Sequence, residues 1–152
     1  MLNRRYIMKA LNDETARAQR AGTACSVAII DMDHFKRVND KYGHPTGDEV
    51  LRSFAIALGA NMRGIDKLGR YGGEEFLLVL PDCTREQASS TVDRLRVMVA
   101  AIDWNAISVE LCVTFSAGVA QLRQDEAPED ILTRADVALY RAKDMGRNRV
   151  VS

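Results

Sequence analysis

The segment Arg70–Phe76 places two glycines directly before two acidic residues, and it constrains the fold more than any other part of the chain. Strand-forming runs lie on both sides of it, which is typical of a β-hairpin with a Gly-Gly turn at Gly72 and Gly73. Such a tip uses glycine for its backbone angles, but it does not need adjacent carboxylates. Glu74 and Glu75 therefore indicate a metal site or a proton-transfer role.

Composition indicates one globular domain of 152 residues, with 47% hydrophobic and 28% charged residues. A formal net charge of +0 gives no reason to expect bulk nucleic-acid binding. No apolar run approaches the length of a membrane span. No hydrophobic region follows the residues at the N-terminus, so we expect no signal peptide. Three cysteines match no zinc spacing. Cys25 and Cys112 lie in apolar, strand-like runs, so we expect buried reduced thiols in a cytoplasmic protein.

Apolar periodicity and turn residues predict an α+β fold in the order β-α-α-β-β-α-β after an N-terminal polar helix. This order resembles a split βαβ arrangement, an antiparallel-rich central sheet flanked by helices on one or both faces. The expected helices cover 3–20, 31–41, 48–62, 84–101 and 128–146, and the expected strands cover 25–30, 66–71, 76–80, 109–120 and 150–151.

Asp31 comes at the carboxyl end of the first predicted strand. If that strand lies beside the hairpin, Asp31 and the Glu74-Glu75 tip share one end of the sheet. Converging carboxylates repel each other unless a cation joins them, and magnesium binds such groups together with phosphate oxygens. Each feature also has a simpler interpretation, since Asp31 and Asp33 can be helix caps and the tip can be a solvated turn.

Two other segments carry polar groups that suit a nucleotide. Asn39 and Asp48 offer the donors and acceptors that a guanine edge requires, although turn and cap chemistry explains either residue alone. Lys143 and Arg147 lie close to a helix end, where they can hold phosphates or simply complement the helix dipole.

Four segments in order resemble the motifs of the GGDEF family of diguanylate cyclases. They are 31–40, 43–51, 70–76 in its Gly-Gly-Glu-Glu-Phe form, and 138–148. The resemblance covers nearly the whole chain. It implies a fold related to polymerase palms and class III nucleotide cyclases, with a ferredoxin-like core.

The family resemblance implies that two GTP molecules are condensed into cyclic di-GMP, with release of two pyrophosphates, across a homodimer of half-sites. It implies two Mg²⁺ or Mn²⁺ ions per site, bound by Asp31, Glu74 and the backbone carbonyl of Met32. Glu75 would assist near the attacking 3′-hydroxyl or the metal. The alternatives are a catalytically silent sensor of GTP or cyclic di-GMP, and a cyclase that makes another dinucleotide.

The same resemblance implies the remaining site residues. Asn39 and Asp48 would recognise guanine. Gly72 and Gly73 leave room for the nucleotide. The triphosphate contacts are Lys36, Lys143, Arg147 and the backbone amides around Phe35.

Arg63 and Asp66 have the spacing of the family's product-inhibition site, to which Arg94 of another subunit can add a contact. The simpler interpretation is an ion pair at a helix end. The family's usual Asp-x-Leu-Thr-Gly segment is missing before Asn3. We therefore expect residues 1–152 to be a single catalytic domain without its N-terminal sensory part, which in the full protein can be attached to a membrane.

Overall fold

A computed structural model describes residues 3–152, which form five α-helices and a five-stranded sheet. The helices are α1 (Arg4–Ala21), α2 (Phe35–Tyr42), α3 (His44–Ala60), α4 (Arg85–Ala101) and α5 (Pro128–Asp144). The strands are β1 (Cys25–Met32), β2 (Lys67–Arg70), β3 (Glu75–Pro81), β4 (Phe115–Gln121) and β5 (Val150–Val151). A short 3-10 helix covers Trp104–Ala106.

The sheet has the strand order β2-β3-β1-β4-β5. Strand β1 pairs antiparallel with β3 and β4, β2 pairs antiparallel with β3, and β5 joins β4 in parallel. The order of the first four strands is that of a ferredoxin-like core, so the predicted α+β architecture is confirmed.

Two hydrophobic clusters lie on opposite faces of the sheet. The larger one packs α3 and α4 around Phe54, Phe76 and Phe115, and the smaller one packs α1 and α5 on Val27 and the neighbouring positions of that face. Helices therefore cover both faces. All residues of β1 are buried, so apolar side chains face both sides of the strand, and only Ser26 and Asp31 are polar.

Helix α5 packs directly on the backbone of β4. A Cβ atom at Gly118 would lie 2.0 Å from the carbonyl oxygen of Ala135 and 2.3 Å from the amide nitrogen of Leu139. Only glycine allows this approach.

Four expectations about local structure were wrong. The helix predicted over 31–41 begins only at Phe35, because residues 31 and 32 still belong to β1. The strand predicted for 109–120 begins only at Phe115, because Leu111 and Val113 are buried in the core without belonging to a strand. Cys112 consequently lies between them exposed rather than buried. Helix α3 begins at His44 rather than at 48, because Pro45 is well suited to the first turn of a helix.

The hairpin also differs from a two-residue Gly-Gly turn. Four residues, 71–74, join β2 to β3, and the amides of Tyr71 and Gly72 both donate to the carbonyl of Glu75, at 2.8 and 3.1 Å. Neither Gly72 nor Gly73 adopts positive φ, so the backbone angles of this tip do not require glycine. Within residues 3–152, no helix combines the length and apolar composition needed to cross a bilayer.

Candidate active site at the end of β1

Asp31 and Glu75 form a carboxylate pair on neighbouring strands. They stand opposite each other in the antiparallel ladder of β1 and β3, so their side chains share one face of the sheet. Asp31 is only 4% exposed. Burial, together with the hydrogen bond and negative charge of Asp31, raises the pKa of Glu75 to about 7, against a smaller opposing effect of Lys143.

Lys143 supplies a positive charge to this pair. It lies in the last turn of α5, and its Nζ is 2.5 Å from Oδ2 of Asp31. A lysine ammonium therefore already stabilises the carboxylates, as a bound cation would.

The carboxylate of Glu74 does not join the Asp31–Glu75 pair. Its carbonyl accepts a hydrogen bond from the amide of Met32 at 3.3 Å, but within residues 3–152 its carboxylate makes no hydrogen bond or ion pair. No group of three or more His, Cys, Asp or Glu side chains in that range is arranged to hold a metal. The structure thus joins two of the three expected acids, Asp31 and Glu75, because opposite residues of a ladder share a face and Glu74 alternates away from them.

This donor set fits a hard divalent cation. Burial and the neighbouring Asp31 both raise the pKa of Glu75, so a cation placed between the two carboxylates would stabilise their ionised forms. Mg²⁺ and Mn²⁺ prefer oxygen ligands, and they complete their coordination with water and substrate phosphates rather than protein side chains alone.

Asn39 presents a buried acceptor without a partner. Among residues 3–152, its Oδ1 is one of two buried side-chain polar atoms that make no hydrogen bond, and such atoms are costly unless a ligand or water satisfies them. A Cβ atom at Gly47 would lie 1.8 Å from this oxygen. The glycine at 47 is therefore what allows Asn39 to take this position.

Asp48 lies one residue further along α3 and is exposed. It lines an open pocket of about 420 Å³ together with Leu51, Arg52, Arg70 and Phe76. The pocket lies between Asp48 in the first turns of α3 and the hairpin strands, whereas Asn39 belongs to α2 and lies against α3 at Gly47.

The start of α2 offers unpaired backbone donors. His34 precedes it in the left-handed conformation, with φ of 55°, and no side chain caps the helix. The first amides, at Phe35 and Lys36, therefore remain available to an anion. Lys36 itself pairs with Asp40 at 3.0 Å on the exposed surface.

Arg147 is exposed and lies beyond the end of α5 in the left-handed conformation, with φ of 65°. Its amide donates to the carbonyl of Ala142 at 3.0 Å. Lys143 and Arg147 thus flank the C-terminus of α5, and only Lys143 contacts the carboxylate pair.

Arg63 and Asp66 form a well-defined ion pair. The guanidinium donates to both carboxylate oxygens of Asp66, at 2.7 to 3.2 Å, and to the carbonyl of Pro81 at 2.8 Å. The Asp66 carboxylate is fully buried. Arg94 reaches the same region, since its Nη2 lies 3.4 Å from the carbonyl oxygen of Asn61.

Two residues were missed at the level of the sequence. Arg70 lines the pocket beside Asp48 and fixes the tip by donating to the carbonyl of Gly73 at 2.6 Å. Asp33 is buried and accepts hydrogen bonds from β4 and from the C-terminal segment. The sequence indicates Arg70 only as part of a motif and Asp33 only as a helix cap, because the partners of both residues are set by tertiary contacts.

At one end of the sheet Asp31 stands opposite Glu75 and contacts Lys143, and on α2 the amide oxygen of Asn39 has no hydrogen-bond partner. The model of the family described as "Diguanylate cyclase, GGDEF domain" matches residues 1–149. The chain belongs to the GGDEF family.

Two curated relatives illustrate the similarity. The diguanylate cyclase DgcP of Pseudomonas aeruginosa is 41% identical over 148 residues, which are 97% of this chain and 22% of the relative. The response regulator PleD of Caulobacter vibrioides is 43% identical over 152 residues, 98% of this chain and 34% of the relative. The chain thus spans at most about a third of their lengths.

Solved structures match the whole fold. The active GGEEF domain of a diguanylate cyclase from Vibrio cholerae superposes with a TM-score of 0.90 at 36% identity, covering 99% of this chain and 96% of that one. The coiled coil and GGDEF domain of DgcB from Caulobacter crescentus, in complex with c-di-GMP, gives a TM-score of 0.92 at 34% identity, covering 98% and 80%.

Proposed function

We propose that this protein is a diguanylate cyclase, in which residues 1–152 form one catalytic domain that condenses two GTP into cyclic di-GMP and releases two pyrophosphates. The observation that carries the proposal is the Asp31–Glu75 pair, joined by Lys143 at one end of the sheet. DgcP is named a diguanylate cyclase, and the DgcB domain was solved with c-di-GMP. These relatives support the same activity here.

Asp31 and Glu75 would hold the metal together with the carbonyl of Met32, and the Glu74 side chain would have to turn toward it from the tip to become a further ligand. We propose Mg²⁺ or Mn²⁺, two ions per site. Such ions, when bound, make a hydroxyl easier to deprotonate and stabilise the charge that develops on a phosphoryl group.

Asn39 and Asp48 would recognise guanine. The unpaired Oδ1 of Asn39 can accept from a guanine N–H group, which would satisfy an otherwise orphaned buried atom. Asp48 adds a carboxylate acceptor at the mouth of the adjoining pocket. An adenine edge presents a different pattern of donors at the corresponding positions, so this arrangement favours GTP.

Lys143, Arg147 and Lys36 would bind the triphosphate, assisted by the free amides at the start of α2. Lys143 is the best placed of the three, because it already lies beside the acids. When the acids take up a cation, its ammonium is free to neutralise phosphate charge.

One GTP bound to one domain gives only half of the reaction. We propose that two copies face each other, so that each 3′-hydroxyl reaches the other's α-phosphate. The product would bind back at Arg63 and Asp66, with Arg94 of another copy, and inhibit the enzyme. The cytoplasm, which supplies GTP, is the proposed location.

Product analysis tests the proposal. The protein is incubated with GTP and Mg²⁺, and the products are separated by chromatography while pyrophosphate is measured. We expect cyclic di-GMP and two pyrophosphates per product, and no turnover with Glu75→Ala at unchanged thermal stability within a few degrees. Binding of GTP without pyrophosphate release would establish a silent sensor instead, and a different dinucleotide formed from ATP would overturn the guanine assignment.

A further inference from the structure

Asp33 is a buried carboxylate that the proposed mechanism does not use. It is 9% exposed and follows the last residue of β1. Its Oδ1 accepts from the hydroxyl of Ser116 at 2.6 Å, and its Oδ2 accepts from the hydroxyl of Thr114 at 2.7 Å and from the amide of Asn148 at 3.0 Å. One side chain thus joins the ends of β1 and β4 to the segment that follows α5.

No cation pairs with Asp33 in the part of the chain that the structure describes. Burial of an ionised carboxylate costs free energy unless hydrogen bonds compensate for it. Here three neutral donors do so, and one of them is a backbone amide that can only donate. Position 33 therefore needs a side chain that can accept a hydrogen bond. It is the amide of Asn148 that requires this acceptor, because the two hydroxyl groups can also accept.

The segment that Asn148 belongs to has an unfavourable backbone. Gly146, Arg147 and Asn148 have φ of 117°, 65° and 46° in succession. L-residues other than glycine occupy this region rarely, and they keep it only where the surroundings hold them there. The backbone amides of this segment donate from Arg147 to the carbonyl of Ala142 and from Asn148 to Asp33. Two guanidinium contacts add to these: Arg96 donates to the side-chain oxygen of Asn148 at 3.0 Å, and Arg149 donates to the carbonyl of Arg147 at 3.1 Å.

Strand β5 anchors the other side of this segment. The amide of Ala117 donates to the carbonyl of Arg149 at 3.0 Å, and Ala117 pairs with Val150 in the ladder. The backbone around Arg147 is therefore held by contacts with the end of α5, with β4 and with Asp33.

We infer that Asp33 is a positioning residue for the phosphate-binding segment Gly146–Arg149. It holds the backbone of Arg147 at the end of the sheet where β1 presents Asp31, while Lys143 reaches the same point from α5. The inference rests on the proposed function, because it takes the triphosphate of GTP as the ligand of Arg147. It adds a residue that contacts neither the metal nor the nucleotide.

Affinity measurements on the full chain test the inference. A non-hydrolysable GTP analogue and GMP serve as probes, both with Mg²⁺, in calorimetric titrations. We expect Asp33→Ala to weaken binding of the analogue about tenfold, as the loss of one charge-assisted phosphate contact does. Binding of GMP should weaken less than about twofold. Asp33→Asn, whose carbonyl oxygen can still accept from Asn148, should restore most of the affinity. Equal losses for both probes would overturn the inference.

A double-mutant cycle with Arg147 gives a second readout. If Asp33 acts through Arg147, Asp33→Ala should have almost no further effect on analogue binding in an Arg147→Ala background. Additive losses would mean that Asp33 acts elsewhere.

Ser116→Ala and Ser26→Ala form a matched pair of controls. Both remove a buried serine hydroxyl, and the hydroxyl of Ser26 donates to the carbonyl of Cys83 at 2.8 Å at the opposite end of β1. Similar thermal shifts are expected, with weaker analogue binding in Ser116→Ala alone. If Asp33→Ala does not fold, the analogue affinities of the two serine variants test the inference in its place. Equal affinities in these two variants would contradict it. A wild-type protein that binds no analogue would instead remove the proposed function itself.

Discussion

The Nζ atom of Lys143 lies 2.5 Å from Oδ2 of Asp31, on the face of the sheet where Glu75 stands opposite. Burial, and then the hydrogen bond and negative charge of Asp31, raise the pKa of Glu75, while Lys143 opposes them. A divalent cation that enters has to displace both the proton on Glu75 and the lysine. Metal binding and the release of Lys143 are thus expected to be coupled events.

The stability of the metal-free protein should depend on Glu75. Its pKa is about 7 in the folded protein, against 4.5 ordinarily. The folded state therefore binds the proton more tightly than the unfolded state, and stability falls as pH rises from about 4.5 through 7. Glu75→Gln should remove this decline. Thermal unfolding in a chelator between pH 5 and 8 measures it.

Glu74→Gln is the matched control for that measurement, since the neighbouring acid makes no contact with Asp31 in residues 3–152. It should keep the wild-type dependence on pH. A flat profile in the wild type, or one abolished equally by both variants, would contradict the role given to Glu75.

Lys143→Met should lower the stability of the metal-free protein at pH 8, because it removes the only ammonium beside the acids in the described part of the chain and keeps a similar apolar stem. Added Mg²⁺ should restore most of the loss, whereas GTP affinity should stay reduced by about tenfold. Lys9→Met, which removes an exposed lysine paired with Asp13, is the control and should change neither property. Unfolding curves measure the stability of both variants, and nucleotide titrations measure their affinity for GTP.

Gly47→Ala should reduce GTP binding strongly. The added Cβ would lie 1.8 Å from Oδ1 of Asn39, so the amide has to leave its position and the guanine contact is lost. Gly59→Ala in the same helix meets nothing within 4 Å, and we expect it to stabilise the protein by about 0.5–1 kcal/mol with unchanged affinity. Equal nucleotide affinities of Gly47→Ala and Gly59→Ala would show that Asn39 does not contribute to GTP binding.

Arg63→Ala should relieve product inhibition. We expect the inhibition constant of cyclic di-GMP to rise at least about tenfold, as expected for the loss of a charged ligand contact, with little change in the KM for GTP. Thermal stability should also fall, because Asp66 stays buried without its partner. Arg85→Ala, which breaks an exposed pair with Glu86, controls for the loss of a surface arginine. Inhibition that persists unchanged in Arg63→Ala would exclude this site.

Turnover should rise more than linearly with protein concentration, because two half-sites must meet before reaction. The specific rate of pyrophosphate release, measured from nanomolar to micromolar protein, tests this. A constant specific rate would contradict the half-site arrangement unless sedimentation showed a dimer at every concentration used.

Sequence reasoning located the acids, the helices and the hairpin because each has a local pattern. It missed what depends on distant partners. Asp33 looks like a helix cap in sequence, and its role follows only from the hydroxyl groups of Thr114 and Ser116, at the start of β4, and from an amide beyond α5. Leu111 and Val113 alternate like a strand but find no neighbouring strand to pair with. The choice between Glu74 and Glu75 as the partner of Asp31 depends on the ladder register, which a sequence of two equal acids cannot determine.

Gly118 has a consequence for how this domain could be redesigned. Leu139, whose amide nitrogen would lie 2.3 Å from a Cβ atom at 118, is one helical turn, about 6 Å, from Lys143 along α5. The backbone position from which the Lys143 side chain reaches Asp31 is therefore set by close contact between α5 and β4. Any larger residue at 118 would move α5 away from the sheet and carry the ammonium with it, so nucleotide chemistry could be weakened without altering a single residue of the site.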